Sequence, residues 1–447
     1  MLFRSWWRTI ASMGRVIPGT IIDRDLGVAL AVLIAVCAFL LMRRSAKVAI
    51  SVWLATVSFV PIWIGVDIRS FYVPLACAVA LVAAFSLIPV NLVRFSLIDG
   101  LVLLLIDVAG AALFTGDAGI ALTFAYTLVV YFAAGYALGR GAPGRLDLRW
   151  VYGAVAVTFS LVAVLAIVEF VTGWNPFILL TADNSSFAAW GDLQERGGVL
   201  RAEGAFGHSI ALGSSLALAI PLTLASRFRF TLRCAMVLVM LLATVVTFSR
   251  IGMIGALLGI VLTVLFLRDE FPQRARVVLA IAVTVVTLAL LPVVTVVFED
   301  AGTEAEGSAQ YRGDLLSQFG EMNLIGLADS ARVTAEGELY FGNFQSIDSQ
   351  LILTGLSSGT VALAAAVLAL VAVTLLVLRG RASAATIAVV AQIPALATVA
   401  LITQYSVFLW FVVGVAAASQ VPQLARPTMR STAPTLPRKS PRVRSSS

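Results

Sequence analysis

Apolar runs of roughly 20 residues, the length that crosses about 30 Å of hydrocarbon as a helix, recur along almost the whole chain. They fall near 26–42, 46–66, 71–92, 97–116, 118–139 and 150–171, then 207–226, 230–248, 251–267 and 276–298. Three more follow at 359–378, 382–400 and 403–419. Two polar interruptions are longer than the rest, at 172–206 and 299–349. The pattern predicts an all-α, polytopic transmembrane bundle of about 12–13 spans. Continuous apolar runs argue against a membrane β-barrel, whose strands alternate over about 10 residues.

Composition agrees. The chain is 60% hydrophobic and 12% charged, against about 25% charged in soluble domains. Its mean hydropathy is +0.99. The net charge of +7 does not call for a nucleic-acid partner, because the basic residues sit in short loops or in the tail, as the positive-inside rule requires. Six groups fall on one face: Arg43–Lys47, Arg140–Arg149, Arg227–Arg233, Arg268–Arg276, Arg379–Arg381 and the tail from Arg426 to Arg444. That face is expected to be cytoplasmic, so the loops at 172–206 and 299–349 point outward. The same alternation leaves the basic N-terminus, with Arg4, Arg8, Arg15 and Arg24, on the outer side.

Three parts are expected: a basic interfacial segment at 1–25, the bundle with its outward loops at 26–420, and a disordered basic tail at 421–447. Residues 1–25 read as an uncleaved anchor, since no soluble domain follows the first apolar run. Cys37, Cys77 and Cys234 all lie in apolar runs without metal or disulfide spacing. No inverted pair of broken helices of the transporter kind is visible.

Candidate chemistry gathers in the outward stretches. Arg201, Glu203 and His208, the single histidine, lead into an apolar run. Ser249 and Arg250 form a short turn between two runs, Tyr311 and Arg312 lie in the second loop, and Asp348 closes it. Arginine suits a pyrophosphate because its planar fork makes bidentate contacts with oxyanions. A histidine near pKa ~6.5 can accept a proton from a hydroxyl. The plainer readings are a snorkelling interfacial residue for each arginine and a helix-start residue for His208. Two acids lie within spans: Asp107, read as facing the bundle, and Glu169, near the outer end of its run. No P-loop, GxSxG, HExxH or dinucleotide fingerprint occurs in a fitting context.

At these residues the chain resembles the O-antigen ligase and O-antigen polymerase superfamily of bacterial envelope glycan assembly. RAEGAFGHSIALGSSLALAIP (201–221), TFSRIGMIGALLG (247–259) and the large loop with YRGDLL, NLIGL and SIDSQLILTGLSSGTVAL carry the likeness, over roughly 150–380. The resemblance implies a GT-C-like membrane glycosyltransferase of the cytoplasmic membrane. It would transfer glycan with inversion from an undecaprenyl-diphosphate carrier to a glycan or lipid-linked acceptor, with no metal or other cofactor. Arg201, Arg250 and Arg312 would bind the diphosphate, with Glu203, Ser249, Tyr311 and Glu169 in support. In ligases the segment after the large loop begins with a histidine; here Asp348 stands there, followed by Ser349. Asp348 is then the expected base, with His208 second, and polymerisation is as open as ligation. The competing expectations are a transporter or flippase for a lipid-linked glycan or small solute, and a membrane protein without activity.

Overall fold

The computed structural model describes residues 36–68, 71–87, 94–111, 114, 118–196, 198–267, 273, 276–277, 281, 284, 288, 315, 317–333, 339–342, 344 and 347–421. The N-terminal segment, the tail beyond 421, and most of 26–42, 276–298 and 299–315 lie outside the described residues.

The described chain is mostly helical, and its strands form three two-stranded ribbons. In chain order the elements begin with α1 (Ala46–Phe59), the hairpin β1 (Gly65–Ile68) and β2 (Phe71–Pro74), α2 (Leu75–Leu87) and α3 (Leu97–Ala111). A long helix follows, α4 (Ala118–Thr127) continuing through a π turn (Leu128–Ala133) into α5 (Ala134–Arg145), and then α6 (Leu148–Thr172). The first loop carries α7 (Ser185–Trp190) and the ribbon β3 (Glu195–Arg196) with β4 (Val199–Leu200). After it come α8 (Ser209–Leu224), α9 (Phe230–Val246) and α10 (Arg250–Phe266). The second loop holds β5 (Ala331–Val333) and β6 (Leu339–Phe341). The chain closes with α11 (Gln350–Ser358), α12 (Thr360–Leu378), α13 (Ala384–Ala391), α14 (Ile393–Thr398) and α15 (Thr403–Ser419). Among the described residues, three helices are long and apolar enough to cross a membrane: Leu122–Arg145, Leu148–Thr172 and Thr360–Leu378. Seven shorter apolar helices accompany them.

The run at 46–66 does not form one helix. Pro61 cannot donate to Val57, the helix stops at Phe59, and the chain turns into the β1–β2 hairpin. Asp107 also departs from expectation. Val102, Leu105, Ile106 and Ala109 give α3 its inward face, and Asp107 falls outside that arc and is exposed.

Two helices are interrupted. Gly359 takes φ 97° between α11 and α12, a region that favours glycine. A Cβ there would stand 2.6 Å from the Leu324 carbonyl oxygen. The backbone groups freed by the break are taken up by the second loop: Thr360 N–H donates to Asn323 O (2.8 Å), and Ala328 N–H to Leu356 O (2.8 Å). The second break is at Gln392 between α13 and α14, with Pro394 just beyond it.

Small residues set the crossing of α8 and α10. Gly252, Gly255 and Gly259 of α10 lie against Gly213, Ala217 and Pro221 of α8. A Cβ on Gly252 would come within 2.9 Å of the Gly213 carbonyl carbon. α8 is buried along its full length, and the helices around it fix the two ends of the fold. One end, here the loop end, carries Ala205, Val60 and Gln404, whose Nε2 donates to both carbonyls. The opposite, basic end carries Lys47 over the Trp150 ring (5.9 Å), Arg227 against Gly153, and Arg381 bonded to Gln420. Lys47, Arg227 and Arg381, which the pattern placed on one face, share this end, while Arg268, Arg274 and the basic tail lie outside the described residues.

Candidate functional site

The loop between α6 and α8 is built on a buried carboxylate. Glu169, in the last turn of α6, accepts from Asn175 Nδ2 (2.9 Å), Glu203 N–H (3.1 Å) and Gly204 N–H (2.9 Å). Asn175 also donates to Gly204 O (3.1 Å), and its Oδ1 caps the turn at Phe177. Burial of a charge demands such pairing, and here three donors supply it. Gly207 then makes the last bend, at φ 62°, where a Cβ would come within 2.8 Å of the Trp63 ring.

Arg201 reaches across to the turn between α9 and α10. Its Nε donates to Thr247 O (2.9 Å), and one terminal nitrogen lies 3.5 Å from Gln194 Oε1. Phe248 holds that turn in a left-handed backbone (φ 47°), an uncommon conformation for a non-glycine residue. Its ring is buried and lies 5.8 Å from the Phe170 ring. Ser249 caps α10 by accepting from Gly252 N–H (3.1 Å). Arg250, the first residue of α10, is exposed.

Glu203 is buried beside this arginine and accepts from Gln194 N–H (3.0 Å). Burial pushes its carboxyl up to about 7, with Glu169 adding to the rise and the Gln194 N–H and Arg201 opposing it. Burial pulls His208 down to about 4, and the nearby Arg201 charge adds to that. His208 is the N-cap of α8: its Nδ1 accepts from Ile210 N–H (3.1 Å), which leaves the imidazole proton on Nε2. Its ring meets the edge of Trp190 (5.6 Å between centroids).

Asp348 is exposed and stands directly before Ser349, which caps α11 by accepting from Ile352 N–H (3.3 Å). Tyr311 and Arg312 lie outside the described residues. The structure therefore joins Arg201, Glu203, Glu169 and His208 in one buried polar cluster and ties Arg201 to the turn that carries Ser249 and Arg250. Asp348 belongs to the start of α11 instead. Sequence reading missed Asn175, Trp190, Gln194 and Thr247. Of these only Asn175 carries a local signal, an Asn-Pro step that favours a capped turn. Among the described residues no group of three or more His, Cys, Asp or Glu is placed to hold a metal.

Beside the cluster lies a cavity of about 1000 Å³ between α3, α4–α5, α11, α12 and α15. Trp190 reaches it, and none of its lining residues is Lys, Arg, His, Asp or Glu. No protein-family model matches the chain, and no curated protein matches it.

Proposed function

We propose that the chain is a polytopic glycosyltransferase of the bacterial cytoplasmic membrane, with about 12–13 spans and a GT-C-like bundle. It would polymerise or ligate a glycan carried on undecaprenyl diphosphate, with both long loops on the outer side. One observation carries the reading: the Arg201 Nε bond to Thr247 O (2.9 Å), which seats the arginine of the first stretch on the turn that bears Arg250. Two guanidinium groups at one loop end make a site for a diphosphate rather than two isolated interfacial cations.

In this reading the diphosphate oxygens lie against Arg201 and Arg250, joined by Arg312. The acceptor hydroxyl attacks the anomeric carbon from the face opposite the leaving group. As the new C–O bond forms, the bond to the diphosphate breaks and its charge grows on oxygens the arginines hold, the electrostatic contribution that usually dominates. The hydroxyl proton passes to the Asp348 carboxylate. His208 is the weaker base because accepting a proton at Nδ1 requires loss of the α8 cap. The donor's polyprenyl chain lies in the bilayer along the exposed stripe of α6, Leu161, Val164, Val168 and Val171, which ends beside Glu169. No metal or cofactor takes part.

The test is Arg250→Ala and, separately, Arg312→Ala in the native host. Each is expected to abolish polymer or conjugate while the protein still inserts; normal product from both overturns the assignment. Carrier-linked glycans in a deletion strain then separate the two activities, since single repeat units accumulate without a polymerase and long chains without a ligase.

A second reading, a flippase or transporter for a lipid-linked glycan, is favoured by the interruptions at Gly359 and Gln392. Broken helices beside a cavity are a transporter device. Glycan transfer by purified protein without any gradient decides between them.

A further inference from the structure

We infer that the cavity between α3, α4–α5, α11, α12 and α15 is a binding site for an uncharged lipid of the diacylglycerol type, separate from the cationic cluster. The inference is independent of the glycosyl-transfer reading. Its first support is charge. No ionisable acid or base other than tyrosine lines the cavity, and a charged headgroup brought out of water without a partner is strongly disfavoured. Arg201, Arg250 and His208 are all absent from the wall.

The second support is a stripe of hydrogen-bonding groups on α15. Thr403, Ser406 and Trp410 border the cavity at helical spacings of three and four, so they share one face. Thr403 Oγ1, Ser406 Oγ and Trp410 Nε1 are buried and have no hydrogen-bond partner among the described residues. Such groups are rare in native folds and each calls for an explanation. Thr403 is also held at φ 49°, an outlier for a β-branched residue. Backbone strain of that kind collects where ligands are clamped. Rotation about χ1 between staggered wells re-aims either hydroxyl at little cost.

The third support is the gradient of polarity. Gln350, Thr354 and Ser357 follow the i, i+4, i+7 pattern on α11, all bordering the cavity near the loop end. Gln350 is fixed there by Leu401 N–H on its Oε1 (2.9 Å). Deeper in, the α3 and α12 walls are Val102, Leu105, Ile106, Leu370 and Val373, while on the α4–α5 side Thr127 donates to Thr123 O and Tyr136 to Asp99, so these hydroxyls are already used. Thr403 and Trp410 lie about 10 Å apart along α15 at 1.5 Å per residue. That is the layout of an amphiphile: ester and hydroxyl oxygens at one end, hydrocarbon beyond. The cavity of about 1000 Å³ admits roughly 30 groups the size of a water molecule, enough for glycerol and a good part of two acyl chains.

The experiment is native mass spectrometry of the full chain in detergent with two probes that share tails, dioleoylglycerol and dioleoylphosphatidic acid. One dioleoylglycerol per chain is expected, with the charged probe at least about ten-fold weaker, which is about 1.4 kcal/mol for an unpaired buried charge. Thr403→Val and Ser406→Ala should each weaken dioleoylglycerol about five-fold, the worth of one hydrogen bond, and Leu105→Trp should exclude it by filling the wall. Equal retention of both probes by the wild type overturns the proposal, as does absence of bound dioleoylglycerol. So does undiminished binding in Leu105→Trp. The comparison of probes on the wild type needs no variant to fold.

Discussion

Glu169 Oε1 and Asn175 Nδ2 lie 2.9 Å apart, and through them the end of α6 holds both the start and the end of the first loop. The same carboxylate takes the N–H groups of Glu203 and Gly204, so one acid organises a connection of some thirty residues. Glu169→Gln puts an amide where two backbone donors converge, leaving a buried N–H unpaired. The expected loss is about 1–3 kcal/mol, read as a fall in the unfolding midpoint of purified protein. An unchanged midpoint would show that the loop is held by other means.

Glu203 links stability to pH. Its carboxyl is raised to about 7 by burial, above its unfolded value, so the folded state favours the protonated form. The associated stability is fully present below the unfolded pKa near 4.5 and is lost as pH rises through about 7. Unfolding midpoints measured from pH 5 to pH 8 should therefore decline more in the wild type than in Glu203→Gln, by up to about 3 kcal/mol. Parallel curves for the two proteins would remove Glu203 as the cause.

His208 separates capping from catalysis. Asparagine caps helices well, whereas alanine forfeits about 1 kcal/mol. His208→Asn should keep the midpoint that His208→Ala loses. If His208 only caps α8, His208→Asn also keeps glycan transfer; loss of transfer at full stability would return the histidine to the reaction.

The basic end rests on an ion pair. Arg140 Nε lies 2.7 Å from Asp99 Oδ1, and Tyr136 donates to the same oxygen (2.5 Å). Asp99 is buried, so Asp99→Asn strands the guanidinium and should cost about 3 kcal/mol or more, while Tyr136→Phe should cost about 1 kcal/mol. The reverse order in paired unfolding measurements would mean that the tyrosine, not the arginine, holds Asp99.

The α8–α10 crossing leaves no room for a methyl group. Gly252→Ala forces the helices apart against the Gly213 backbone and should destabilise by about 1–3 kcal/mol. Gly110→Ala on α3, where a Cβ meets nothing within 4 Å, should be neutral or slightly stabilising. Equal effects at the two sites would place the close contact elsewhere.

Much of the helical layout was legible because a long apolar run leaves the backbone few alternatives. The run at 403–419 is α15 from end to end, and 207–226 contains Ser209–Leu224. Apolar runs say less about where a helix breaks. Hydrophobicity stays high through Val60–Ile64, yet Pro61 ends α1; it stays high through 382–400, yet the helix breaks at Gln392 before Pro394. The site was legible in part. Arg201, Glu203 and His208 are conspicuous among glycines, and Ser249 and Arg250 interrupt an apolar tract. Gln194, Thr247 and Trp190 enter through distances that only the folded loop creates. The polar stripe Thr403–Ser406–Trp410 looks like any helix face until α11 and α12 stand opposite it.

The break at Gly359 ties a loop to a helix. Asn323–Ala328 supplies the hydrogen bonds that α11 and α12 lack at their junction, so the hinge angle and the loop conformation are a single mechanical coordinate. α12 also carries Leu370 and Val373 of the cavity wall, so the second loop, the junction at Gly359 and that wall share one connected backbone.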